Sequence, residues 1–256
     1  MWIALVTGAS SGIGRTYAHH LARKQLDLVL VARAEQRLQQ VADECRAMGA
    51  GHVEVLPADL GTQQGIGTVE ERIRRGDVHT LVNNAGFSVG AEFADASAQA
   101  LASQLRVNVE AVMRLCHVAV GPMTARGAGV IINVASTAAL LPGRGTTYSA
   151  SKAWVVNFTE GLATDLAGTG VHVQALCPGF VRTQFHESAG IDMRRTPAWM
   201  YVDADVLVDT SLRRVGGGDV LCVPGAVYRG VAMISRILPR RLLRRVAAGV
   251  KSKGRD

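Results

Sequence analysis

The sequence predicts an α/β domain in which a doubly wound, mainly parallel sheet of seven strands carries helices on both faces. The first observation is a set of short, nearly continuous apolar runs, as expected of strands buried on both faces. The second is that amphipathic stretches separate these runs, and such alternation implies parallel strands joined by crossover helices. The predicted strands are residues 3–6, 28–31, 53–56, 80–82, 130–134, 171–176 and 220–223.

The stretch 34–48 illustrates the helical pattern between the strands. Its apolar residues Leu38, Val41, Ala42 and Cys45 recur at intervals of three and four, which places them on one helix face. A chain of 256 residues fits one large domain of this kind and leaves little room for a second. Hydrophobic residues make up 48% of the chain and charged residues 19%, which excludes a disordered protein.

The formal net charge of +7 is unevenly distributed along the chain. Residues 1–228 hold 19 basic and 20 acidic residues, whereas residues 229–256 hold 9 basic residues and 1 acidic residue. A nearly neutral body argues against electrostatic nucleic-acid binding by the whole protein, so no nucleic-acid partner is expected. The basicity belongs to a C-terminal extension over residues 229–256.

Cysteine usage and the N-terminus favour a cytoplasmic protein without a metal site. The cysteines show no C-x-x-C spacing and adjoin no histidine cluster, and in a chain of this length they are typical of buried, reduced side chains. The apolar start lacks a basic region, which favours a strand over a signal peptide. Charges and Pro224 interrupt the most apolar long run, 220–238, so no membrane-spanning helix is expected. The cysteines are Cys45, Cys116, Cys177 and Cys222.

A glycine-rich turn follows the first predicted strand. Gly8, Gly12 and Gly14 have the spacing G-x-x-x-G-x-G and precede a helical pattern over residues 15–24. Such glycines let the backbone approach a pyrophosphate, and the helix N-terminus supplies free N–H groups and a positive dipole end. The alternative is a tight turn with no ligand. The flanking strand and helix favour a dinucleotide site, whose loop also contains Ser10, Ser11 and Ile13.

The end of the second predicted strand favours NADP(H) over NAD(H). NAD sites place a carboxylate there to bind the ribose 2′-hydroxyl. This strand instead leads to Arg33, whose guanidinium can pair with a 2′-phosphate in a bidentate geometry, and Arg15 is a second candidate for that phosphate. The alternative is that Arg33 is only solvated and that Glu35 binds the 2′-hydroxyl.

Tyr148, Lys152 and Ser136 are the candidate catalytic residues. Tyr148 and Lys152 lie four residues apart at the head of a helical pattern, so both side chains share one face. An ammonium stabilises a phenolate, and we therefore expect Lys152 to lower the pKa of Tyr148 from about 10. Ser136 follows the fifth predicted strand, at the edge where ligands bind in open α/β sheets, and its hydroxyl could hold a carbonyl oxygen. Taken singly, the pair could be a surface pair and Ser136 a helix cap.

In order and spacing, these residues together resemble the motifs of the short-chain dehydrogenase/reductase family. The resemblance covers about residues 2–225 and implies a Rossmann-type fold in which residues 1–228 form an NADP-binding catalytic domain. The motifs are Thr7-Gly8-x-x-x-Gly12-x-Gly14, Asn83-Asn84-Ala85-Gly86, Asn108, Ser136, Tyr148-x-x-x-Lys152 and Pro178-Gly179.

The resemblance also implies a role for each motif residue. Tyr148 would donate a proton to the carbonyl oxygen as hydride arrives, and Ser136 would position that carbonyl. Lys152 would lower the pKa of Tyr148 and bind the nicotinamide ribose, while Asn108 would anchor a water in a proton relay. The further implied cofactor contacts are Asp59 and Leu60 at the adenine, Asn84 and Gly86 near the adenine ribose, and Pro178, Gly179, Val181 and Thr183 at the nicotinamide carboxamide.

The C-terminal region departs from that of many relatives. Those proteins end in a strand followed closely by a turn that closes a tetramer, whereas this chain continues for 31 residues after Gly225. The ending is most similar to ketoacyl and hydroxysteroid reductase-like members, and residues 186–213 are the expected substrate loop. Beyond residue 239 an apolar stripe at helical spacing lies opposite four arginines. Such a helix could pack on its own domain, rest on an anionic membrane surface or bind an acidic partner.

The sequence therefore predicts an NADP-dependent oxidoreductase. It would transfer hydride between the nicotinamide and a carbonyl or secondary alcohol of an apolar, ketoacyl- or steroid-like substrate, and the resemblance implies a homo-oligomer, either dimer or tetramer. The alternative is a catalytically silent NADP-binding sensor or scaffold that docks through its basic tail. The presence of Asn108, Ser136, Tyr148 and Lys152 together argues against that alternative, since a binder has no need of all four.

Overall fold

The computed structural model describes residues 2–140, 146–181, 200–237 and 241 of the chain. Seven strands alternate with helices along the sequence and form one sheet, while two further strands, β7 (Phe180–Val181) and β8 (Tyr201–Val202), pair only with each other. The strands of the large sheet are β1 (Ile3–Thr7), β2 (Asp27–Ala32), β3 (Val53–Pro57), β4 (Val78–Asn83), β5 (Gly129–Val134), β6 (Val171–Leu176) and β9 (Leu221–Cys222).

The large sheet has the order β3-β2-β1-β4-β5-β6-β9, and every neighbouring pair is parallel. The chain winds outward from β1 to β3 and then returns to place β4 on the other side of β1. The carboxyl ends of β1 and β4 therefore flank the crevice where doubly wound sheets bind their ligands. This architecture confirms the predicted fold class.

Eight helices of the described residues cover the two faces of the sheet. A π-helical turn (Arg106–Ala111) joins two of them, and a 3₁₀ turn (Thr137–Ala139) follows β5. The helices are α1 (Gly12–Arg23), α2 (Glu35–Ala47), α3 (Gln63–Arg74), α4 (Ala98–Leu105), α5 (Val112–Arg126), α6 (Thr146–Asp165), α7 (Ala204–Gly216) and α8 (Ala226–Ile237).

Successive residues of each strand pack into two separate cores, one on each face of the sheet. Both sets of residues are therefore apolar, which explains why the strands are continuous apolar runs in the sequence. On one face Val6 and Leu30 pack with residues of α1, α2 and α7. On the other face Leu5 and Val31 pack with residues of α3 and α5. A third, smaller cluster joins α6, the end of β6 and α8.

Side-chain caps set several helix starts. The Thr62 hydroxyl accepts a hydrogen bond from the Gly65 N–H at the start of α3, and Ser97 does the same for Ala100 in α4. The Asp203 carboxylate accepts the N–H groups of two residues in the first turn of α7. Such caps satisfy amide donors that a helix start leaves free.

Two C-terminal regions differ from the pattern predicted by the sequence. The expected substrate loop 186–213 is described from Met200 onward, where it contains β8 and most of the first three turns of α7. Leu207 and Val208 of α7 are fully buried because this helix packs against α1. The continuous helix α8 crosses the predicted boundary between residues 228 and 229, and the division into domain and extension stays a prediction.

The remaining tail, including the apolar stripe beyond residue 239, lies outside the described residues except for Arg241. Among the helices that the structure does describe, none is both long enough and apolar enough to cross a bilayer.

Candidate active site

The glycine-rich turn between β1 and α1 brings two stretches of backbone unusually close together. Gly8 and Gly12 have φ angles of +65° and +52°, in the left-handed region that favours glycine. A Cβ on Gly14 would lie 2.3 Å from the Gly8 carbonyl oxygen and 2.5 Å from Asn84 Nδ2, so a side chain cannot be accommodated there. The local backbone therefore explains each of the three spaced glycines, two by their φ angles and Gly14 by the close approach of its neighbours.

The first turn of α1 fits the predicted pyrophosphate. Ser11 is the N-cap residue, yet its side chain makes no capping hydrogen bond and no acidic residue occupies the first turn. The leading N–H groups are therefore not capped by that side chain, and the helix dipole is not opposed by a nearby carboxylate. Ser10 is half-buried in the same loop, and Ile13 packs against the core beneath it.

Arg33 follows β2 directly and is exposed. It makes no hydrogen bond or ion pair with the part of the chain that the structure describes, so its guanidinium is available to an anion. Arg15 differs, because it pairs with both carboxylate oxygens of Glu44 on α2, and His19 binds the same carboxylate at 2.8 Å. A 2′-phosphate contact from Arg15 would require it to leave this pair. The exposed Arg37 lies four residues beyond Arg33, and the sequence pattern did not indicate it as a candidate for the 2′-phosphate.

Asp59 and Leu60 follow β3 after one intervening residue, at the same edge of the sheet. Asp59 is exposed and its Oδ1 accepts the Gly61 N–H at 2.8 Å, whereas Leu60 is buried at 6% exposure. The carboxylate thus caps its own turn while remaining open to solvent. The contacts of Asp59 and Leu60 with the adenine stay a prediction.

Asn84 ties the end of β4 to the glycine-rich turn. Its Nδ2 donates to the carbonyl oxygens of Thr7 and Gly8 at 2.9 and 3.2 Å. Thr7 completes the connection, because its hydroxyl accepts the N–H groups of Asn84 and Ala85 and donates to Val82. The glycine motif contains Thr7 without indicating this function, although a threonine at the end of a buried strand signals a hydroxyl that needs partners.

Gly86 links this cofactor side to the candidate catalytic side. A Cβ on Gly86 would lie 3.1 Å from Asn108 Oδ1 and 3.2 Å from Lys152 Nζ. The absence of a side chain at this position lets both polar groups approach the backbone turn. The glycine therefore acts here through close approach, since its φ is not in the left-handed region.

Asn108 lies in the π-helical turn and is fully buried. Its Oδ1 accepts the Phe87 N–H at 3.1 Å, and its Nδ2 donates to the Phe87 carbonyl oxygen and to Ser151 Oγ. The side chain thus fastens the segment after β4 to α6. Its partner on α6, Ser151, is not singled out by any motif of the sequence. Short π-helical turns occur frequently at functional sites. The predicted water relay through Asn108 stays a prediction.

Ser136, Tyr148 and Lys152 meet beyond the carboxyl end of β5. Lys152 is 4% exposed, its Nζ donates to the Val134 carbonyl oxygen at 2.7 Å, and it lies 5.9 Å from the centroid of the Tyr148 ring. Ser136 Oγ accepts the Ala138 N–H at 3.1 Å and also shares a hydrogen bond with Tyr148. The structure therefore brings residues from a strand end and the following helix together.

Burial dominates the electrostatics of this pocket. It raises the pKa of Tyr148 to about 12, against the opposing effect of the hydrogen bond with Ser136. It also lowers the pKa of Lys152 to about 8. The expected lowering of the Tyr148 pKa by Lys152 is thus not found in the protein alone, because removal from water disfavours phenolate and ammonium alike.

The segment after β6 closes the other side of the pocket. The Pro178 carbonyl oxygen accepts the Thr137 N–H at 2.9 Å, which places this segment against the turn that follows Ser136. Gly179 lies against an aromatic ring, and Val181 is buried at 3% exposure. Thr183, the last predicted carboxamide contact, lies outside the described residues.

The arrangement as a whole can bind an extended anion at one end and a carbonyl group at the other. The uncapped α1 start and Arg33 lie on the anion side, at the ends of β1 and β2. The two hydroxyl groups of Ser136 and Tyr148 and the Lys152 ammonium lie on the other side, at the end of β5. Hydroxyl donors directed at one oxygen stabilise negative charge that develops on it.

Comparison with known proteins agrees with this geometry. The short chain dehydrogenase family model matches residues 2–194. The chain is 32% identical over 222 residues to a very-long-chain 3-oxoacyl-CoA reductase-like protein of Arabidopsis thaliana, covering 84% of this chain and 70% of that protein. It is 29% identical over 243 residues to the 17-beta-hydroxysteroid dehydrogenase type 3 of Mus musculus, covering 93% and 77% of the two chains.

The solved structures include a close fold relative. A short-chain dehydrogenase from Sphingobium yanoikuyae, solved in complex with NADPH, superposes with a TM-score of 0.85 at 33% identity, covering 92% of this chain and 93% of that chain. The predicted resemblance, including its ketoacyl and hydroxysteroid relatives, is thereby confirmed. The chain belongs to the short-chain dehydrogenase/reductase family of oxidoreductases.

Proposed function

We propose that this protein is an NADP(H)-dependent oxidoreductase that interconverts a carbonyl and a secondary alcohol on an apolar, ketoacyl- or steroid-like substrate. The observation that carries the proposal is the meeting of Asn108, Ser136, Tyr148 and Lys152 beside an uncapped helix start. The relatives named for 3-oxoacyl-CoA and hydroxysteroid reactions support an apolar substrate. The exposed Arg33, which has no partner among the described residues, and the NADPH complex of the similar structure support the choice of cofactor.

The nicotinamide, when bound, supplies the hydride for the carbonyl carbon. Ser136 and Tyr148 donate hydrogen bonds to the carbonyl oxygen, and Tyr148 transfers its phenolic proton to that oxygen as negative charge develops. A pKa of about 12 keeps Tyr148 protonated at neutral pH, as a proton donor must be. Lys152 uses one N–H to reach Val134, so its other two donors can bind ribose hydroxyls.

The scaffold alternative is not favoured by these observations. A protein that only binds a dinucleotide needs the phosphate turn but not hydroxyl donors from two other elements directed into one pocket. The family members named above are also enzymes.

The four cysteines are buried and form no disulfide, which supports a reducing, cytoplasmic location. A homo-oligomer remains an expectation from the family resemblance.

Tyr148→Phe tests the proton donor. The variant lacks the phenolic proton, so we expect the reduction of a panel of apolar ketones to slow by roughly 100-fold or more. NADPH affinity, measured by fluorescence titration, stays unchanged because the ring remains. Tyr17→Phe is the matched control, since it removes a buried hydroxyl that is bonded to Ser211. Retained turnover in Tyr148→Phe would refute the assignment.

Arg33→Asp tests the cofactor preference. Replacing the guanidinium by a carboxylate removes a charged pair with the 2′-phosphate, so kcat/KM with NADPH should fall roughly 10- to 100-fold and the preference should shift toward NADH. Arg75→Asp makes the same charge change at the C-terminal end of α3, before β4 begins, and should leave the ratio of the two kcat/KM values unchanged. An unaltered ratio of the two kcat/KM values in Arg33→Asp would favour the alternative in which Arg33 is only solvated.

The pH profile tests Lys152. Because burial lowers its pKa to about 8, the free enzyme loses the ammonium as the pH rises through that value while Tyr148 keeps its proton. The kcat/KM for NADPH in the reductive direction should therefore fall above about pH 8. Lys152→Arg, which stays charged throughout, should be slower but lack this step. A flat wild-type profile from about pH 7 to pH 9.5 would contradict the role.

We also propose that the C-terminal region contacts anionic membrane surfaces. Met233 and Ile234 of α8 are 68% and 55% exposed, and the sequence that follows is rich in arginine. Apolar side chains next to basic residues are typical of interfacial binding.

Sedimentation with phosphatidylserine-containing vesicles tests this contact. Binding should weaken as salt rises, because screening reduces the electrostatic attraction. Met233→Asp with Ile234→Asp should lower the bound fraction severalfold, whereas Phe93→Asp, which changes an equally exposed side chain elsewhere, should not. Equal sedimentation with neutral phosphatidylcholine vesicles, or none with either, would count against the contact.

A further inference from the structure

The helix α8 is fastened to the nicotinamide side of the pocket by one aromatic residue. Tyr228 is 7% exposed, and its ring fills the space beside Gly179. A Cβ on Gly179 would lie 2.1 Å from this ring, so the glycine and the tyrosine fit each other closely. The first turn of the C-terminal region therefore packs directly on the Pro178-Gly179 segment.

The Tyr228 hydroxyl binds two backbone stretches that are distant along the chain. It accepts the Phe180 N–H at 3.0 Å and donates to the Met200 carbonyl oxygen at 2.5 Å. Burial raises the pKa of Tyr228, so the hydroxyl keeps the proton with which it binds Met200. Phe180 and Met200 lie on either side of residues 182–199, and Phe180 also pairs with Tyr201 through β7 and β8.

These contacts hold the Gly179–Phe180 backbone, while the turn that follows Ser136 holds the preceding residue, Pro178. The Pro178 carbonyl oxygen accepts the Thr137 N–H, one residue after Ser136. A shift of this backbone would therefore change its distance from the residues that face the substrate carbonyl. A phenylalanine would fill the same space, so packing alone does not require a hydroxyl at residue 228.

We propose that Tyr228 is a positioning residue for hydride transfer, because its hydroxyl fixes the backbone at Gly179 and Phe180 relative to Ser136. It acts through the backbone and does not itself touch the reacting atoms. The proposal rests on the proposed function, in which the 178–181 segment contacts the nicotinamide. It gives the start of the C-terminal region a part in the reaction.

The experiment compares wild-type protein with Tyr228→Phe, which deletes the hydroxyl and keeps the ring. The variant should have a kcat about 5- to 10-fold lower in ketone reduction, as expected for the loss of a buried hydrogen bond that matters in the transition state. The primary isotope effect with NADPH deuterated at the transferred position should rise, because hydride transfer becomes more rate-limiting. The affinity for adenosine 2′,5′-diphosphate, which binds only the phosphate side, should stay unchanged.

Tyr17→Phe is again the matched control. It removes a hydroxyl that is fully buried and bonded to Ser211 at 2.6 Å, whereas the Tyr228 hydroxyl binds the Phe180 backbone. A purely structural loss in either variant lowers the melting temperature. Only loss of positioning also changes the isotope effect, and we expect that change in Tyr228→Phe alone.

Hydrogen exchange supplies a readout that does not depend on turnover, and its wild-type measurement does not depend on folding of the variant. In the wild-type protein without cofactor, the Phe180 amide should exchange slowly, and in Tyr228→Phe it should lose that protection. Fast exchange at Phe180 in the wild type would overturn the contact. A kcat and isotope effect equal to those of an active wild type would overturn the positioning role alone, whereas a wild type that reduces no ketone would overturn the proposed function as well.

Discussion

The connection between the carboxyl ends of β1 and β4 is the constraint on which the rest of the site depends. These strands are neighbours in the sheet although two strands and three helices separate them in sequence. The Thr7 hydroxyl binds two N–H groups after β4, and Asn84 returns two hydrogen bonds to Thr7 and Gly8. Because buried polar groups are costly to leave unpaired, this reciprocal set fixes the glycine-rich turn relative to Gly86. Through Gly86 it also fixes the phosphate side relative to Asn108 and Lys152.

The chemistry of the pocket follows from removing two opposite kinds of titratable group from water together. Burial raises the pKa of Tyr148 and lowers that of Lys152, so it shifts both groups toward their neutral forms in the protein alone. The pocket is thus arranged with a phenol that keeps its proton and an amine whose charge is sensitive to its surroundings. Anionic phosphates and ribose hydroxyls nearby would favour the ammonium, which couples the state of Lys152 to occupation of the cofactor side.

The C-terminal region is more closely integrated with the site than its composition indicates. The basic residues are concentrated after residue 228, which favours a separate appendage. Helix α8, which begins at Ala226 and runs into this part, nevertheless buries Tyr228 and Ala232 against the segment after β6, while Met233 and Ile234 remain exposed. One face of α8 thus belongs to the catalytic domain, and the other is available for contacts outside it.

The sequence by itself determined the order and type of the main elements and most candidate site residues. Alternating apolar runs and amphipathic stretches predicted the sheet, because strands buried on both faces and helices buried on one leave distinct patterns. Glycine spacing and the Tyr148–Lys152 interval predicted local geometry, since these depend on residues close in sequence. Only the tertiary structure decided the pairing of Arg15 with Glu44, the pKa direction of Tyr148 and the contacts of Tyr228 with Phe180 and Met200. Those depend on burial and on partners distant along the chain, which no local pattern encodes.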